Sequence, residues 1–561
     1  MTHKRIFSAA VLLSLFLTGC GGDSNNEIEL SNQNSLTINT NISGPGSVST
    51  NTKTVSKGST VRITLDPDEG YYAESASGCD GYLIDDLYII ENIQESCTVD
   101  IQFKAQITLS ELNIDPVLLQ CITNDNDYQY ANEIEYLYCE DPIANVQDIK
   151  HFKKLRSLTL YNQTIANIDL SESPELGYLS ISSPFLESLN LSQSLQLTYV
   201  NIDSDQLKSL DTSKNASLSN LRIKSLELTD LDLSANKELT SLSLENPLMT
   251  TLNIEENTEL TELMLYNLAI TELDLSSNTA LELIDINYTQ LNTLDLSAAK
   301  QLKTISIWDN LFSKIDLSHN KKLTTLSLEN SLITTLNIKE NTELTRLYLY
   351  DLAIDELDIS SNTKLIDIGI YDSQLKTLDL SAAKQLLFLT VNDASLSEID
   401  LSNNIELESL SLINNELTTI HLKANTHLNY LDLTGNDLTE VDFSNNLELA
   451  TLNLSHNQFS ALGLSTLSNL KNLYVYGNQL STLDISNNLL LEELNLSNNQ
   501  LSELNISNNT LLKELSISKN QLTQINFPVN NSLTELSVSG DELTELDFSN
   551  FKALTSLSIS G

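Results

Sequence analysis

Leu231-Asp232-Leu233-Ser234, followed eleven residues after its start by Leu242-Ser243-Leu244, is the stretch that decides the fold. Its first apolar position recurs every 21 residues, 19 times from Ile168 to Leu546, without insertion or deletion. A repeat this strict predicts a solenoid, in which each unit buries its apolar residues only against its neighbours. In each apolar-x-apolar triplet two side chains point inward and one outward, as a short strand requires. Strands are therefore expected in both columns, the Leu-Asp-Leu-Ser one and the Leu-x-Leu one. At about 4.8 Å per level the array would span on the order of 90 Å.

A full unit, Leu449-x-x-Leu452-x-Leu454-x-x-Asn457-x-Phe459-x-x-Leu462-x-Leu464, resembles the leucine-rich repeat. The 21-residue form is similar to the bacterial class in which two near-copies nest in one unit. The resemblance implies an α/β-type solenoid of mostly short parallel strands and turns over residues 153–561. It says little about ligand, because this fold is a general binding scaffold. Residues 240–302 and 324–386 match at 46 of 63 positions, four units apart, so the array grew by copying.

The segments before the array differ in kind. Residues 1–19 have a basic start (His3, Lys4, Arg5) and an apolar run from Ile6 to Leu17, which reads as an export signal. Leu17-Thr18-Gly19-Cys20 resembles the bacterial lipoprotein signal, which implies cleavage before Cys20 and lipid on its thiol. Gly21 rather than Asp follows, which in that family favours the outer membrane. Residues 20–34 are polar and rich in Gly, Ser and Asn, and read as a flexible tether reaching ~20 Å.

Residues 35–104 alternate with period two at Leu36-Thr37-Ile38, Val61-Arg62-Ile63-Thr64-Leu65 and Val99-Asp100-Ile101-Gln102-Phe103, so a small all-β domain is expected. Gly44-x-Gly46-x-Val48, Gly70-Tyr71, Gly78-Cys79 and Cys97-Thr98-Val99 make it similar to internalin-type B-repeat modules. That family usually has a tryptophan before the Gly-Cys pair, where this chain has Ala76-Ser77. The resemblance implies a spacer without chemistry of its own. Residues 105–152 read as the polar cap that a solenoid end needs.

The five cysteines divide into Cys20, the close pair Cys79 and Cys97, and the close pair Cys121 and Cys139. In an exported chain two local disulfides are expected. Four cysteines allow three pairings, and proximity favours the local one.

The formal charge of −46 argues against a nucleic-acid partner and against docking on anionic lipid. The six histidines are scattered, and none sits in a zinc or nucleophile motif. No phosphate-binding glycine loop is present, so no enzyme is expected.

The two columns differ in variability. The outward residue of the Leu-Asp-Leu-Ser column is Asp or Asn almost throughout, and Asn stands five residues after the column start at 13 levels. Side chains so constant suit hydrogen bonds to the turn backbone. The competing reading is a calcium ladder, but stacked carboxylates repel and the glycine-rich calcium nonapeptide is absent. No cofactor is expected.

The other column varies. It carries Tyr266, Tyr288, Trp308, Asp309, Tyr348, Tyr350, Asp351, Tyr371, Asp372 and Asp393. Its structural Asn at 415, 436, 457, 478, 499 and 520 gives way between 226 and 394 to Leu, Pro, Thr, Ser and Ala at most levels. Departures from a local rule are where function is expected. These residues form the candidate ligand-binding stripe, on the face expected to be concave. Aromatic rings beside carboxylates suit a glycan or a basic protein surface; surface filler on strands is the plain alternative. The expected role is adhesion or recognition of a protein or glycan by a lipid-anchored outer-membrane protein, with an internalin-like layout. The alternative is a structural envelope protein that self-associates laterally and has no distinct ligand.

Overall fold

The computed structural model describes residues 35–561 apart from 125–127, 162, 529–531, 541, 544–550 and 561. Cys20, with the signal and tether around it, lies outside the described residues. The described residues divide into two compact units, one ending at residue 106 and the other beginning at residue 107.

The first unit is all β. Its strands are β1 (Ser35–Ser43), β2 (Gly46–Val48), β3 (Thr52–Ser56), β4 (Val61–Pro67), β5 (Tyr71–Ser77), β6 (Tyr82–Ile84), β7 (Leu87–Ile90) and β8 (Cys97–Ala105). They form two four-stranded sheets, β3-β1-β8-β5 and β2-β4-β7-β6. The alternating residues Val61, Ile63, Leu65, Val99, Ile101 and Phe103 make the core with Ile38 and Tyr88. Gly46 is needed there, since a Cβ would lie 2.6 Å from the Phe103 ring. The Cys79–Cys97 disulfide joins the start of β8 to the turn after β5.

The second unit begins with a helix, α1 (Pro116–Thr123). Pro116 opens it, and Asp115 caps it by accepting from the Val117 amide at 2.9 Å. The other Asp115 oxygen accepts from the Ala144 amide at 3.1 Å, which pins the following loop. Strand β9 (Tyr136–Cys139) lies inside the segment read as cap, yet it is a strand of the array. Leu137 stands in register with Leu158 of β10 (Ser157–Leu160), one 21-residue step on. Cys139 takes an inward position, and its disulfide to Cys121 ties α1 to that first strand.

From β10 one parallel strand follows per level, through β12 (Tyr178–Ser182), β14 (Tyr199–Ser204), β15 (Asn220–Ser225), β16 (Ser241–Glu245) and seven strands between Glu262 and Asn392, then β24 (Ser409–Ser411), β25 (Tyr430–Asp432), β26 (Thr451–Asn453), β27 (Asn472–Tyr474), β28 (Glu493–Asn495) and β30 (Glu514–Ser516), to β32 (Glu535–Ser539) and β33 (Ser556–Ser560). Pairing is in strict 21-residue register, as at Leu263↔Ile284 and Leu347↔Ile368. The ladder is open: among the described residues β9 pairs only with β10, and β33 only with β32. Inward leucines and isoleucines of all levels form one continuous core from Leu109 to Val538.

The Leu-Asp-Leu-Ser column departs from expectation. Among the described residues it forms strands only near the ends, β11 (Asn167–Asp169) with β13 (Ser188–Asn190), and β29 (Glu503–Asn505) with β31 (Gln524–Asn526). Elsewhere it carries no strand and runs into a turn. Most of its Asp and Asn residues turn an oxygen to the amide two residues on, as Asp232 does to Ser234 at 2.9 Å and Asn253 to Glu255 at 3.0 Å. The levels that do pair make the same Asx turn, Asp169 to Ser171 at 3.0 Å and Asn505 to Ser507 at 3.1 Å, so the turn alone does not decide the pairing.

Beneath the turns runs a buried asparagine ladder. Asn257 donates from Nδ2 to Leu233 and Asn236 carbonyls at 3.0 and 2.8 Å, and Asn341 to Leu317 and Asn320 at 2.9 Å each. A second ladder follows the main strands. Asn457 donates to the Leu433 carbonyl at 2.8 Å and accepts from the Leu438 amide at 3.1 Å. In the second ladder the side-chain oxygen is the partner of a buried backbone amide, which is why Asn is fixed at those positions.

Candidate ligand-binding face

Seven main strands carry the candidate stripe: β17 (Glu262–Tyr266), β18 (Leu283–Asn287), β19 (Thr304–Trp308), β20 (Thr325–Glu329), β21 (Arg346–Tyr350), β22 (Asp367–Tyr371) and β23 (Phe388–Asn392). On each, alternation buries the second and fourth residues and leaves the first, third and fifth on the face. Tyr266, Trp308, Tyr350 and Tyr371 are all fifth residues, and Tyr348 is a third.

After six of these seven strands the next residue turns the chain in the same way. Asn267, Tyr288, Asp309, Asp351, Asp372 and Asp393 all have φ between 50° and 56°, in the left-handed region. Their amides still bond the next level, as Asp351 does to the Tyr371 carbonyl at 3.0 Å. Asn, Asp and Gly tolerate this conformation best. The residue type of Asp309, Asp351, Asp372 and Asp393 therefore has a backbone cause, independent of any ligand. Tyr288 does not fit that cause. A bulky residue at φ 56° is strained, and its ring is 56 % exposed.

The structure brings part of the stripe into contact. The Trp308 and Tyr350 rings lie 5.5 Å apart at 47°, and Tyr350 stacks on Tyr371 at 4.9 Å and 2°. Trp308 Nε1 donates to Ser327 Oγ at 3.1 Å. The Tyr348 hydroxyl donates to the Asp367 carboxylate on the next strand. Burial, then that carboxylate, push the Tyr348 hydroxyl well above its ordinary value. Tyr266 makes the equivalent bond to Asp285, with the same consequence. Tyr266 stands apart from the Trp308 group, and Asp393 is engaged by Asn414 Nδ2 at 2.8 Å.

Gly369 belongs to the candidate stripe, and the periodic pattern concealed it. It sits at the outward third position of β22, where a Cβ would lie 3.0 Å from both Tyr348 Cδ1 and Tyr371 Cε2. The two rings close over it. The available signal was a glycine inside a strand, which marks a close approach. Also missed was a second aromatic group on the same face. Tyr138 meets Tyr161 edge-on at 6.1 Å, and Tyr178 stacks on Tyr199 at 4.4 Å and 3°. Tyr136 beside them is 61 % exposed.

On the turn column a shallow groove lies between levels at Leu231, Asp232, Leu252 and Asn253, and recurs at Ile420, His421, Val441 and Asp442. Recurrence marks it as repeat geometry. Among the described residues no three His, Cys, Asp or Glu groups converge as a metal cluster would.

Solved structures with the same architecture are known. The array is similar to Toll from Drosophila, in its complex with Spatzle, with a TM-score of 0.53 and 18 % identity over 73 % of this chain and 65 % of that one. It is similar to YopM from Yersinia enterocolitica, with a TM-score of 0.51 and 19 % identity over 72 % and 91 %. The functional domain of InlJ from Listeria monocytogenes gives 0.47 and 25 % over 56 % and 76 %. The Toll and YopM likenesses show the leucine-rich repeat fold. No protein-family model matches the sequence, and no curated protein matches it.

Proposed function

We propose that this chain is a non-enzymatic recognition protein of the cell envelope, anchored by lipid on Cys20. On this reading it binds a protein or glycan through the main-strand face between Glu262 and Asn392. The observation that carries the reading is the division of labour between the two columns. Side chains of the Leu-Asp-Leu-Ser column are spent on their own turns at level after level. On the main-strand face Trp308, Tyr350 and Tyr371 form a continuous aromatic row, partly exposed and aimed outward. Aromatic side chains offer large contact area at small cost in conformational entropy. Toll, which shares the fold, was solved with Spatzle bound, so a solenoid of this kind can carry a macromolecular ligand.

Trp308 is the single tryptophan of the chain and reports on the row directly. Its emission is followed while the purified full chain is titrated with envelope glycans and surface proteins. A saturable change, lost in the Tyr266→Ala/Tyr350→Ala/Tyr371→Ala variant, is expected. A ligand captured equally by parent and variant would move recognition elsewhere. The anchor is tested by fractionation: Cys20→Ala should release the chain from the membrane fraction, and its retention there would overturn the lipid assignment.

A further inference from the structure

Trp308, Glu329, Tyr350 and Tyr371 occupy one column, in register on four successive strands. Strands lie about 4.8 Å apart, so side chains two levels apart should be separated by about 10 Å. The Trp308 and Tyr350 rings are nevertheless 5.5 Å apart. They lean toward each other across the level of Glu329, and Tyr371 extends the wall by stacking on Tyr350. Glu329 is only partly exposed. Burial, with Asp309 and Asp351 on the adjoining turns, raises its carboxyl above the usual value.

The charge of the whole face is as one-sided. Strands β17–β23 and their turns present four strand carboxylates (Glu262, Asp285, Glu329, Asp367) and the four turn aspartates, against Arg346 alone. Eight carboxylates against one guanidinium leave an excess of seven negative charges. Arg346 stands in register with Asp367, at the opposite end of the strands from Glu329. Among the described residues none of the eight is in an ion pair. The lysines of these levels are used off the face, as in Lys303–Glu282 at 2.7 Å, Lys321–Glu340 at 2.9 Å and Lys364–Glu343 at 2.6 Å.

A neutral glycan would use the rings but leave this charge uncompensated. An anionic ligand would be repelled. A guanidinium or ammonium satisfies both features, since it stacks on an aromatic face while pairing with a carboxylate. Building on the recognition face proposed above, we infer that its ligand is a basic polypeptide segment. An arginine or lysine side chain of that segment lies over the Trp308–Tyr350 pair and pairs with Glu329.

The test uses the purified full chain and a dye-labelled peptide of alternating arginine and glycine, read by fluorescence anisotropy. A peptide of alternating glutamate and glycine and a neutral oligosaccharide serve as comparisons. Salt is kept at about 0.15 M, so that screening confines attraction to about 8 Å. Glu329→Gln and Trp308→Ala should each weaken the arginine peptide about tenfold. Glu259→Gln removes one exposed charge from a turn off this face and should leave affinity within about twofold. Circular dichroism of each variant checks that the fold is kept. Equal weakening by Glu329→Gln and Glu259→Gln would mean attraction to net charge alone and overturn the inference. Binding of the oligosaccharide, but not the arginine peptide, through Trp308 would overturn it while leaving the recognition face standing. No binding of any of the three, with no Trp308 response to envelope proteins either, would sink both.

Discussion

The two asparagine ladders differ in what their loss would leave behind, and this makes a quantitative comparison possible. Asn457 is nearly buried. Its Oδ1 is the acceptor for the buried Leu438 amide at 3.1 Å, and its Nδ2 donates to the Leu433 carbonyl at 2.8 Å. Asn457→Leu keeps the volume but orphans that amide. An unsatisfied buried donor costs about 1–3 kcal/mol, and the lost bond to Leu433 adds about 1 kcal/mol, so a loss of roughly 2–4 kcal/mol is expected. Asn341 in the other ladder donates to Leu317 and Asn320, but both carbonyls keep a backbone donor, the Asn320 and Leu323 amides at 3.1 Å each. Its own Oδ1 is buried with no protein partner. Asn341→Leu therefore loses second bonds only and removes an unsatisfied acceptor, which limits the cost to about 1 kcal/mol. Urea unfolding followed by circular dichroism gives the two stabilities, and hydrogen exchange at Leu438 gives the local effect. Faster Leu438 exchange with the larger loss at 457 is predicted. Equal losses, or a larger one at 341, would refute the assignment of the ladders.

Other consequences concern single features. Gly369→Ala places a Cβ 3.0 Å from the Tyr348 and Tyr371 rings; near-ultraviolet dichroism should change and ligand affinity should drop several-fold, while the thermal midpoint moves by only a few degrees. Replacing Cys121 and Cys139 by serine opens a loop with a sequence separation of 18, which should cost about 3 kcal/mol and make α1 the first site of proteolysis. The turn aspartates predict a pH dependence. The Ser234 hydroxyl and amide hold the Asp232 carboxyl below its usual range, and Ser276 does the same for Asp274 through its amide and hydroxyl. A lowered folded pKa stabilises fully above the unfolded value of about 3.9 and is lost as pH falls through the folded one. Thermal midpoints should therefore fall on acidification below about pH 4. Asp232→Asn/Asp274→Asn should flatten that fall relative to the parent, because Asn253 and Asn337 already fill the same role; an unchanged slope would count against it.

The repeat and its inward positions were legible because one physical demand, burial against the neighbouring level, acts identically at every level. Leu137-Tyr138-Cys139 obeys the same step and could have been placed in the sheet, but its cysteine and the tyrosines around it read as cap. Asx turns in the Leu-Asp-Leu-Ser column were legible as chemistry, but the loss of strand pairing there was not. An apolar-x-apolar pattern shows which side chains face inward and says nothing of whether neighbouring levels exchange backbone hydrogen bonds. The aromatic residues were legible as a row; their contacts were not, since nothing in the spacing shows Trp308 and Tyr350 leaning across a level. The left-handed turn was hidden for a similar reason. Asp309 and Asp372 look like ligands until their φ of 50° and 53° shows why Asp stands there.

On the reading proposed above, the main-strand face between Glu262 and Asn392 carries the ligand and the turn column is scaffold. Hydrogen exchange of the full chain with and without its bound ligand tests this most directly. Added protection is expected at strands β19–β22 and the turn after Trp308, with the levels around Asp232 and Asp442 unchanged. Protection concentrated on the Leu-Asp-Leu-Ser turns, with β19–β22 unaffected, would contradict it.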